Sequence, residues 1–159
     1  DRRFESKRSW AFDVSYQGMR YHMSNLMAAI GREQLKKLPK FKSHRKKCVS
    51  KYLKELSGLN SITFLDMDYE NIMSHIFVIR VSGGTRNELA RHLSDNGIES
   101  GIHYQPNHFL SLYKTNYALH TTEILRNELI TLPLHAELST EEQSKVIKEI
   151  KRFLGMLNG

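Results

Sequence analysis

The chain has 159 residues, of which 40% are hydrophobic and 26% are charged, and it contains a single cysteine. These values are typical of one modest globular domain, and they exclude a disulfide framework and a thiolate zinc site. No apolar stretch approaches the roughly 20 residues that a membrane-spanning helix needs, so no membrane partner is expected. A lone thiol suits a reducing compartment, which makes the cytoplasm the expected location.

The formal net charge is +7, and much of the excess lies in one stretch between Lys36 and Lys54. Its members are Lys36, Lys37, Lys40, Lys42, Arg45, Lys46, Lys47, Lys51 and Lys54. Such a stripe could bind the phosphates of nucleic acid, or it could be a solvated helix face whose acidic complement lies elsewhere. No RNP-type aromatic pair, zinc finger or helix-turn-helix motif accompanies it, so we favour the solvated face.

The first predicted element is a helix that Ser24 caps, because apolar side chains recur after it at helical spacing. They are Leu26, Ala29, Ile30, Leu35 and Leu38. The small residues from Ala28 to Gly31 suit close packing against another helix. Pro39 predicts a break, since proline is tolerated best in the first turn of a helix. A second, basic helix is therefore expected from Pro39 to about Leu56, and Gly58 ends it.

Short apolar runs with β-branched residues then predict three or four strands. They are Ile62–Leu65, His75–Val81, Ile98–Tyr104 and the short segment Thr131–His135. Crossover connections are expected between some of these strands. Because helices alternate with only a few strands, the predicted fold class is α+β, a three- to four-stranded sheet with helices on one face.

Three helices are expected among these strands. Thr85 with Glu88 forms a potential capping box at the start of the first, and Ser139 with Glu142 forms another at the start of the last. The middle helix is predicted from Thr121 to Leu129.

Two segments are rich in charged and polar aromatic side chains, which a purely structural segment does not need. Gly18–Asn25 places an arginine, a tyrosine and a histidine before a helix N-terminus, where backbone N–H groups favour an anion. Gly101–His108 concentrates polar aromatic side chains at the end of a predicted strand, in a loop of the kind that lines binding clefts. On chemistry alone the first could simply cap its helix, and the second could be a set of interfacial aromatic residues.

Metal and nucleophile chemistry are not expected. The chain has eight histidines, but His103 and His108 lie five residues apart with no carboxylate between them. That spacing fits neither a helical metal pair nor an alternating strand site. No Gly-x-Ser-x-Gly motif is present.

The two segments, taken together and in this order, resemble the motifs of the DegT/DnrJ/EryC1/StrS aminotransferases. The resemblance extends through Ala28–Gly31 and to the closing segments Leu132–His135 and Leu138–Glu142, and it covers about Trp10 to Phe153. It implies the small C-terminal domain of a fold-type-I transferase that uses pyridoxal 5'-phosphate (PLP). Residues 1–57 would form a cofactor-reaching loop with interdomain and dimer helices, and residues 58–159 the small α+β domain.

The resemblance also implies an activity. Family members move an amino group, usually from glutamate, onto the keto group of a nucleotide-linked sugar, and they work as homodimers with shared active sites. The lysine that binds PLP covalently lies upstream of the first motif in the family, so no catalytic residue is assigned to this chain. We therefore expect these 159 residues to be a C-terminal portion that is inactive alone.

Six site residues follow from the resemblance. Arg20, Tyr21 and His22 match the segment that reaches the cofactor phosphate of the neighbouring subunit. His22 stands where arginine or asparagine is more usual, which makes its own contact a hypothesis. The substrate side would be lined by His103, Tyr104 and His108.

Two alternatives remain open at this point. Some relatives replace the cofactor lysine with histidine and act as PLP-dependent sugar dehydrases. The other alternative is a non-catalytic module that binds nucleic acid through the basic stripe.

Overall fold

The computed structural model describes residues 17–19 and 21–157. The chain divides into two compact units, Asp1–Lys36 and Lys37–Gly159. In chain order the elements are α1 (Asn25–Leu56), β1 (Ile62–Phe64), β2 (Phe77–Val81), α2 (Arg86–Asp95), α3 (His120–Arg126), β3 (Leu129–Leu132) and α4 (Thr140–Leu157). Two 3-10 turns, Asn107–Phe109 and Ser111–Tyr113, precede α3.

Helix α1 is continuous, so the break that we predicted at Pro39 is wrong. Proline lacks the N–H that would donate to residue 35, which weakens a helix interior without always ending it. The predicted cap is confirmed: Ser24 Oγ accepts a hydrogen bond from the Met27 amide at 3.2 Å. Gly58 follows the helix with a φ of 85°, a conformation that glycine adopts without strain.

In the first unit, the apolar side chains of α1 are exposed. Leu26, Met27, Ile30 and Leu35 are each at least half accessible to solvent. Exposed apolar side chains that recur along one helix are typical of a surface that a partner covers.

In the second unit, the C-terminal end of α1 belongs to the core. Val49, Tyr52 and Leu56 are buried, and the Tyr52 ring stacks on Phe77 with 5.1 Å between centroids. The Tyr52 hydroxyl donates to the Pro133 carbonyl at 3.0 Å. Burial raises the pKa of Tyr52, so the phenol stays neutral and remains a donor.

The sheet has three antiparallel strands in the order β1-β2-β3, which confirms the predicted α+β class. Residues facing the helices pair across it, with Ile79 opposite Ile130 and Phe77 opposite Leu132. These side chains join those of α1, α2 and α4 in one core cluster. The strands are neighbours in chain order, so the crossovers that we expected are absent from this sheet.

The strand predicted at Ile98–Tyr104 is also wrong. Only Gly101 pairs there, as an isolated bridge to Thr131. The last strand ends at Leu132 instead of His135, because Pro133 has no N–H to continue a ladder.

The two predicted capping boxes differ. At α4, the Ser139 amide donates to Glu142 Oε2 at 2.8 Å and the Glu142 amide donates to Ser139 Oγ at 3.1 Å, as predicted. These hydrogen bonds lower the pKa of Glu142. At α2, Thr85 occupies the cap position without a side-chain hydrogen bond, so the box predicted there is not formed.

Several cations of the basic stripe hold the second unit together. One guanidinium nitrogen of Arg45 lies 3.3, 2.9 and 3.0 Å from the carbonyl oxygens of Ser74, His75 and Leu134. Lys51 donates to the Thr140 carbonyl at 3.1 Å. These cations bind groups within the fold, which differs from the solvated face that we favoured for the stripe. Lys37, Lys40, Lys42 and Lys47 are exposed, as that interpretation predicts.

No helix in the described part of the chain is long and apolar enough to span a bilayer.

The stacked pair in the core leads to a stability prediction. Tyr52→Phe keeps the stack on Phe77 and loses one hydrogen bond, so it should lower the free energy of unfolding by about 1 kcal/mol. Phe77→Ala should lower it by about 3–5 kcal/mol, because it leaves a cavity. Urea denaturation at equilibrium measures both, with Tyr113→Phe at an exposed tyrosine as the control. Equal losses for Tyr52→Phe and Phe77→Ala would contradict this packing.

Candidate functional site

The loop before α1 carries the first group of predicted site residues. Tyr21 is 86% exposed, and its hydroxyl lies 3.0 Å from Met19 Sδ. His22 is exposed as well. Arg20 lies outside the described residues, so its predicted contact stays a prediction.

The chemistry of this loop fits an anion such as a phosphate. The first turn of α1 contains no acidic residue, so its N–H groups and dipole are not offset by a carboxylate there. A phenol and an imidazole directly upstream add hydrogen-bond donors. The predicted phosphate contacts of Tyr21 and His22 stay predictions.

In the second unit, the backbone of Gly101 pairs with that of Thr131. The Gly101 amide donates to the Thr131 carbonyl at 3.0 Å, and the Thr131 amide donates to the Gly101 carbonyl at 2.8 Å. This two-hydrogen-bond bridge attaches the loop that follows Gly101 to the edge of β3. It is the start of the second predicted site segment.

The His103 ring folds back onto this bridge. A Cβ at position 101 would lie 2.5 Å from His103 Cε1, so only glycine leaves room for the ring. His103 Nδ1 lies 2.9 Å from Thr131 Oγ1, within hydrogen-bond distance. The ring of Tyr104, which is 79% exposed, meets the His103 ring edge-on at 4.9 Å. The peptide bond between the two residues is cis.

The position of Thr131 places His103 and Tyr104 on the sheet face opposite the helices. Ile130 and Leu132 belong to the core cluster, and side chains alternate along a strand. Thr131 therefore points to the other face, where the His103 ring covers it. One face of β3 thus packs on the core, and His103 lies against the other face.

His108 lies in a second cluster and does not join His103. Its ring is 4.3 Å from that of Phe109, and its Nε2 lies 3.4 Å from Glu123 Oε1 without hydrogen-bond geometry. The Arg126 guanidinium sits 4.6 Å above the Phe109 ring and donates to Gln105 Oε1 at 3.0 Å. The side chain of His108 is only 8% exposed.

A surface cavity of about 500 Å³ opens beside this cluster. His108 and Glu123 line it, together with residues of the segment between Phe109 and Ala118. His103 and Tyr104 do not line it. The three predicted substrate residues of this unit thus fall into two places: His103 with Tyr104 on the sheet, and His108 at the cavity.

Arg86 is buried and binds backbone groups close to this cluster. It donates to the carbonyl oxygens of Arg126 at 2.8 Å and Leu129 at 3.3 Å, where α3 ends and β3 begins. Burial lowers its pKa, and the nearby Arg126 charge lowers it further. Among residues 17–19 and 21–157, no three His, Cys, Asp or Glu side chains are grouped to hold a metal ion.

Sequence reasoning missed the residues that position the predicted ones. Thr131, Glu123 and Arg126 come from elements distant in the chain, and only Thr131 left a signal. It is a polar residue inside the apolar run from Leu129 to Leu132, where a buried hydroxyl needs a partner.

The fit of His103 over Gly101 predicts a coupled pair of substitutions. Gly101→Ala should lower the free energy of unfolding by about 1 kcal/mol, because the new methyl group displaces the exposed His103 ring and breaks its hydrogen bond to Thr131. In a His103→Ala background the same change should cost almost nothing. Denaturation of all four proteins measures the coupling. Gly155→Ala, where the methyl group meets open space in α4, is the control and should stabilise by up to about 1 kcal/mol. Additive effects of the two substitutions would contradict the contact.

Known proteins resemble this chain in sequence and in fold. The sequence model of the DegT/DnrJ/EryC1/StrS aminotransferase family matches residues 2–151. The aminotransferase TlmJ from Streptoalloteichus hindustanus has a TM-score of 0.80 and 29% identity over 94% of this chain and 42% of its own. A Streptococcus pneumoniae protein classed as a sugar aminotransferase, in its PLP form, has a TM-score of 0.72 and 31% identity over 94% and 40%.

For a third structure, the similarity supports only the fold of this chain. PseC from Helicobacter pylori, an aminotransferase involved in the biosynthesis of pseudoaminic acid, has a TM-score of 0.76 and 23% identity over 95% of this chain and 43% of its own. The chain spans about two fifths of the length of these structures. The resemblance read from the motifs is therefore confirmed, and this chain belongs to the DegT/DnrJ/EryC1/StrS aminotransferase family.

Proposed function

We propose that this chain is the C-terminal portion of a PLP-dependent aminotransferase that moves an amino group from glutamate to a nucleotide-linked keto sugar. Family membership supports the reaction class. The observation that carries the site assignment is the His103 ring, held over Gly101 and hydrogen-bonded to Thr131 at the sheet surface. An imidazole held so firmly, yet open to solvent, is suited to act on a ligand.

The proposed role of His103 is to orient the sugar and to exchange protons with its oxygen atoms. Because Nδ1 is engaged by Thr131 Oγ1, Nε2 is the ring nitrogen left for a ligand. A histidine fixed at one nitrogen presents the other in a defined direction, which general acid–base chemistry requires. Tyr104, packed edge-on against it, adds a phenolic hydroxyl on the same exposed surface.

On the cofactor side, Arg20, Tyr21 and His22 would hold the phosphate of PLP in the neighbouring subunit. Tyr21 and His22 are exposed, as donors must be when their ligand belongs to another subunit. When bound, PLP supplies the electron-withdrawing ring that the transfer needs. The lysine that binds it covalently belongs to the part of the family fold that this chain does not span, so the 159 residues alone would be inactive.

The proposal includes the fold-type-I architecture, with residues 58–159 as its small domain and residues 1–57 as the segment that reaches the cofactor and the partner. Support comes from the long helix α1 before a compact α+β unit, and from the similarity to aminotransferases of more than twice this length. The enzyme would act in the cytoplasm, as its single free cysteine suggests.

The residues of this chain do not distinguish an aminotransferase from a PLP-dependent sugar dehydrase of the same family. The residue that distinguishes the two reactions lies at the position of the cofactor lysine. No contact in the described residues favours a nucleic-acid module, and Arg45, Lys46 and Lys51 already bind groups within the fold.

A homodimer with shared active sites completes the proposal. Its support is the set of exposed apolar side chains on the first half of α1, among them Leu26, Ile30 and Leu35. Apolar area of this kind is what subunit interfaces bury.

Self-association through this face leads to a prediction. Leu26→Glu with Ile30→Glu places two charges one turn apart on the helix, and it should weaken association of the chain about tenfold or more for each side chain that is buried. Sedimentation equilibrium measures the change. Lys47→Glu, an exposed change further along the same helix, is the control and should leave association intact. A chain that stays monomeric at high concentration before any substitution would contradict the proposed interface.

The activity is tested on the complete protein, extended to the length of its relatives. With ¹⁵N-glutamate, PLP and a nucleotide-linked keto sugar, it should form ¹⁵N-labelled amino sugar, and the 159-residue chain should form none. His103→Ala should lower kcat/KM about 100-fold, the size of effect that a proton-transferring side chain has. Mass spectrometry of the product detects the label.

The matched control in this assay is Gly155→Ala, which should not change kcat/KM. Turnover by the 159-residue chain would disprove the claim that its catalytic lysine lies elsewhere. An unchanged kcat/KM for His103→Ala would remove this histidine from the mechanism.

A further inference from the structure

A groove runs between α1 and α4 on the surface of the second unit, and its volume is about 360 Å³. Both helices contribute charged side chains to it, and a buried apolar side chain lies between them. The lining residues are Lys51 and Glu55 of α1 and Ser144, Ile147, Lys148 and Lys151 of α4. Half of these residues are lysines, and the Glu55 carboxylate is the one acidic group among them. The lining of the groove is therefore positively charged.

Hydrogen bonds from one helix to the other hold the two walls together. The buried Gln143 side chain donates to the Cys48 carbonyl at 2.7 Å. The Lys51 ammonium group donates to the Thr140 carbonyl at 3.1 Å and to Ser144 Oγ at 2.7 Å. The groove is thus formed before a ligand arrives, which lowers the entropy cost of binding.

The lysines in the groove keep positive charge for a ligand. Lys51 binds two neutral oxygen atoms, which do not offset its charge, and an ammonium group has a third N–H to donate. Lys148 is exposed. Lys151 lies 2.9 Å from Glu55 Oε2, and its hydrogen bond lowers the pKa of that carboxyl. The charges of Lys54 and Lys51 lower the same pKa further, so their field reaches the groove.

Positive charge also continues along α1 on either side of the groove. Lys47 and Lys54 are exposed, and they lie one turn before and one turn after Lys51 on the same side of the helix. Glu141, exposed in the first turn of α4, adds one negative charge at the end of the groove. The surface around the groove therefore suits an elongated ligand that carries several negative charges.

We propose that this groove binds an acidic segment of another protein. Complementary charge steers such a segment to the groove and fixes its position there. In an extended peptide, side chains at every second residue point the same way and lie about 7 Å apart. That spacing is close to the rise of about 5.4 Å per helical turn that separates neighbouring lysines along α1. Flexible lysine side chains cover the difference.

Nucleic acid fits this groove less well. Single-stranded bases need aromatic or arginine side chains on which to stack, and the lining contains neither. Non-specific affinity for a phosphate backbone comes from many cation contacts, whereas three lysines line this groove. None of the lining residues is assigned to the transfer reaction, so binding here is independent of the proposed function.

The test adds the chain to a fluorescently labelled peptide of about eight residues with glutamate at every second position, and it follows the anisotropy of the label. The peptide should bind at about 50 mM salt and be released at about 1 M salt, where the Debye length is only about 3 Å. The same peptide with glutamine in place of glutamate should not bind. Absence of binding up to about 1 mM protein would overturn the proposal.

Variants place the peptide in the groove. Lys148→Glu should weaken binding about fivefold, because it replaces an attraction with a repulsion. Glu55→Gln removes the lining carboxylate and releases Lys151, so it should strengthen binding about twofold, which a folding defect could not produce. Lys42→Glu is the matched control and should bind like the original chain. Lys42 is exposed and lies about two and a half turns before Lys51, on the opposite side of α1.

Three outcomes would count against the groove as the peptide site. Equal losses for Lys148→Glu and Lys42→Glu would mean that the peptide senses only the net charge of the chain. Weaker binding by Glu55→Gln would contradict the electrostatic basis of the proposal. A single-stranded oligothymidine of equal charge that binds more tightly than the peptide, with the same dependence on Lys148, would assign the groove to nucleic acid instead.

The complete protein, extended to the length of its relatives, should bind the peptide with the same dependence on Lys148 and Glu55. Loss of binding there, with binding retained by the 159-residue chain, would mean that the rest of the protein covers the groove, and it would overturn the proposal.

Discussion

The site of this chain depends on one backbone bridge, the pair of hydrogen bonds between Gly101 and Thr131. Thr131 belongs to a strand whose neighbours Ile130 and Leu132 are anchored in the core. The bridge fixes the start of the loop that follows Gly101 to this anchored strand. Because position 101 is glycine, the His103 ring can lie on the bridge and reach the Thr131 hydroxyl.

The core on the other side of the sheet explains why this arrangement can be held. Tyr52 from α1 stacks on Phe77 of β2, and helices α2 and α4 complete the same cluster. Arg45 donates to backbone carbonyls just before β2 and just after β3, and Arg86 donates to the Arg126 carbonyl where α3 ends. Some of the basic residues that suggest nucleic-acid binding in the sequence therefore bind other segments of the fold.

Periodic and local signals in the sequence predicted the helices, two of the strands and the Ser24 and Ser139 caps. Pro39 misled the prediction because α1 runs through it without a break, and a missing N–H weakens a helix without always ending it. Ile98–Tyr104 reads as a strand by composition, but His103 folds back over Gly101 and leaves a single bridge. Local patterns do not contain the contacts of His103 with Thr131 or of His108 with Glu123, because these join residues 28 and 15 positions apart.

The central claim is that the His103 ring rests on Gly101 at the edge of β3. The most direct measurement is a nuclear Overhauser effect between the α-protons of Gly101 and the Hε1 proton of His103 in the isotope-labelled chain. The account predicts a strong cross-peak, since a Cβ on Gly101 would lie 2.5 Å from His103 Cε1. Absence of that cross-peak, with cross-peaks from His103 to solvent-exposed neighbours only, would contradict the account.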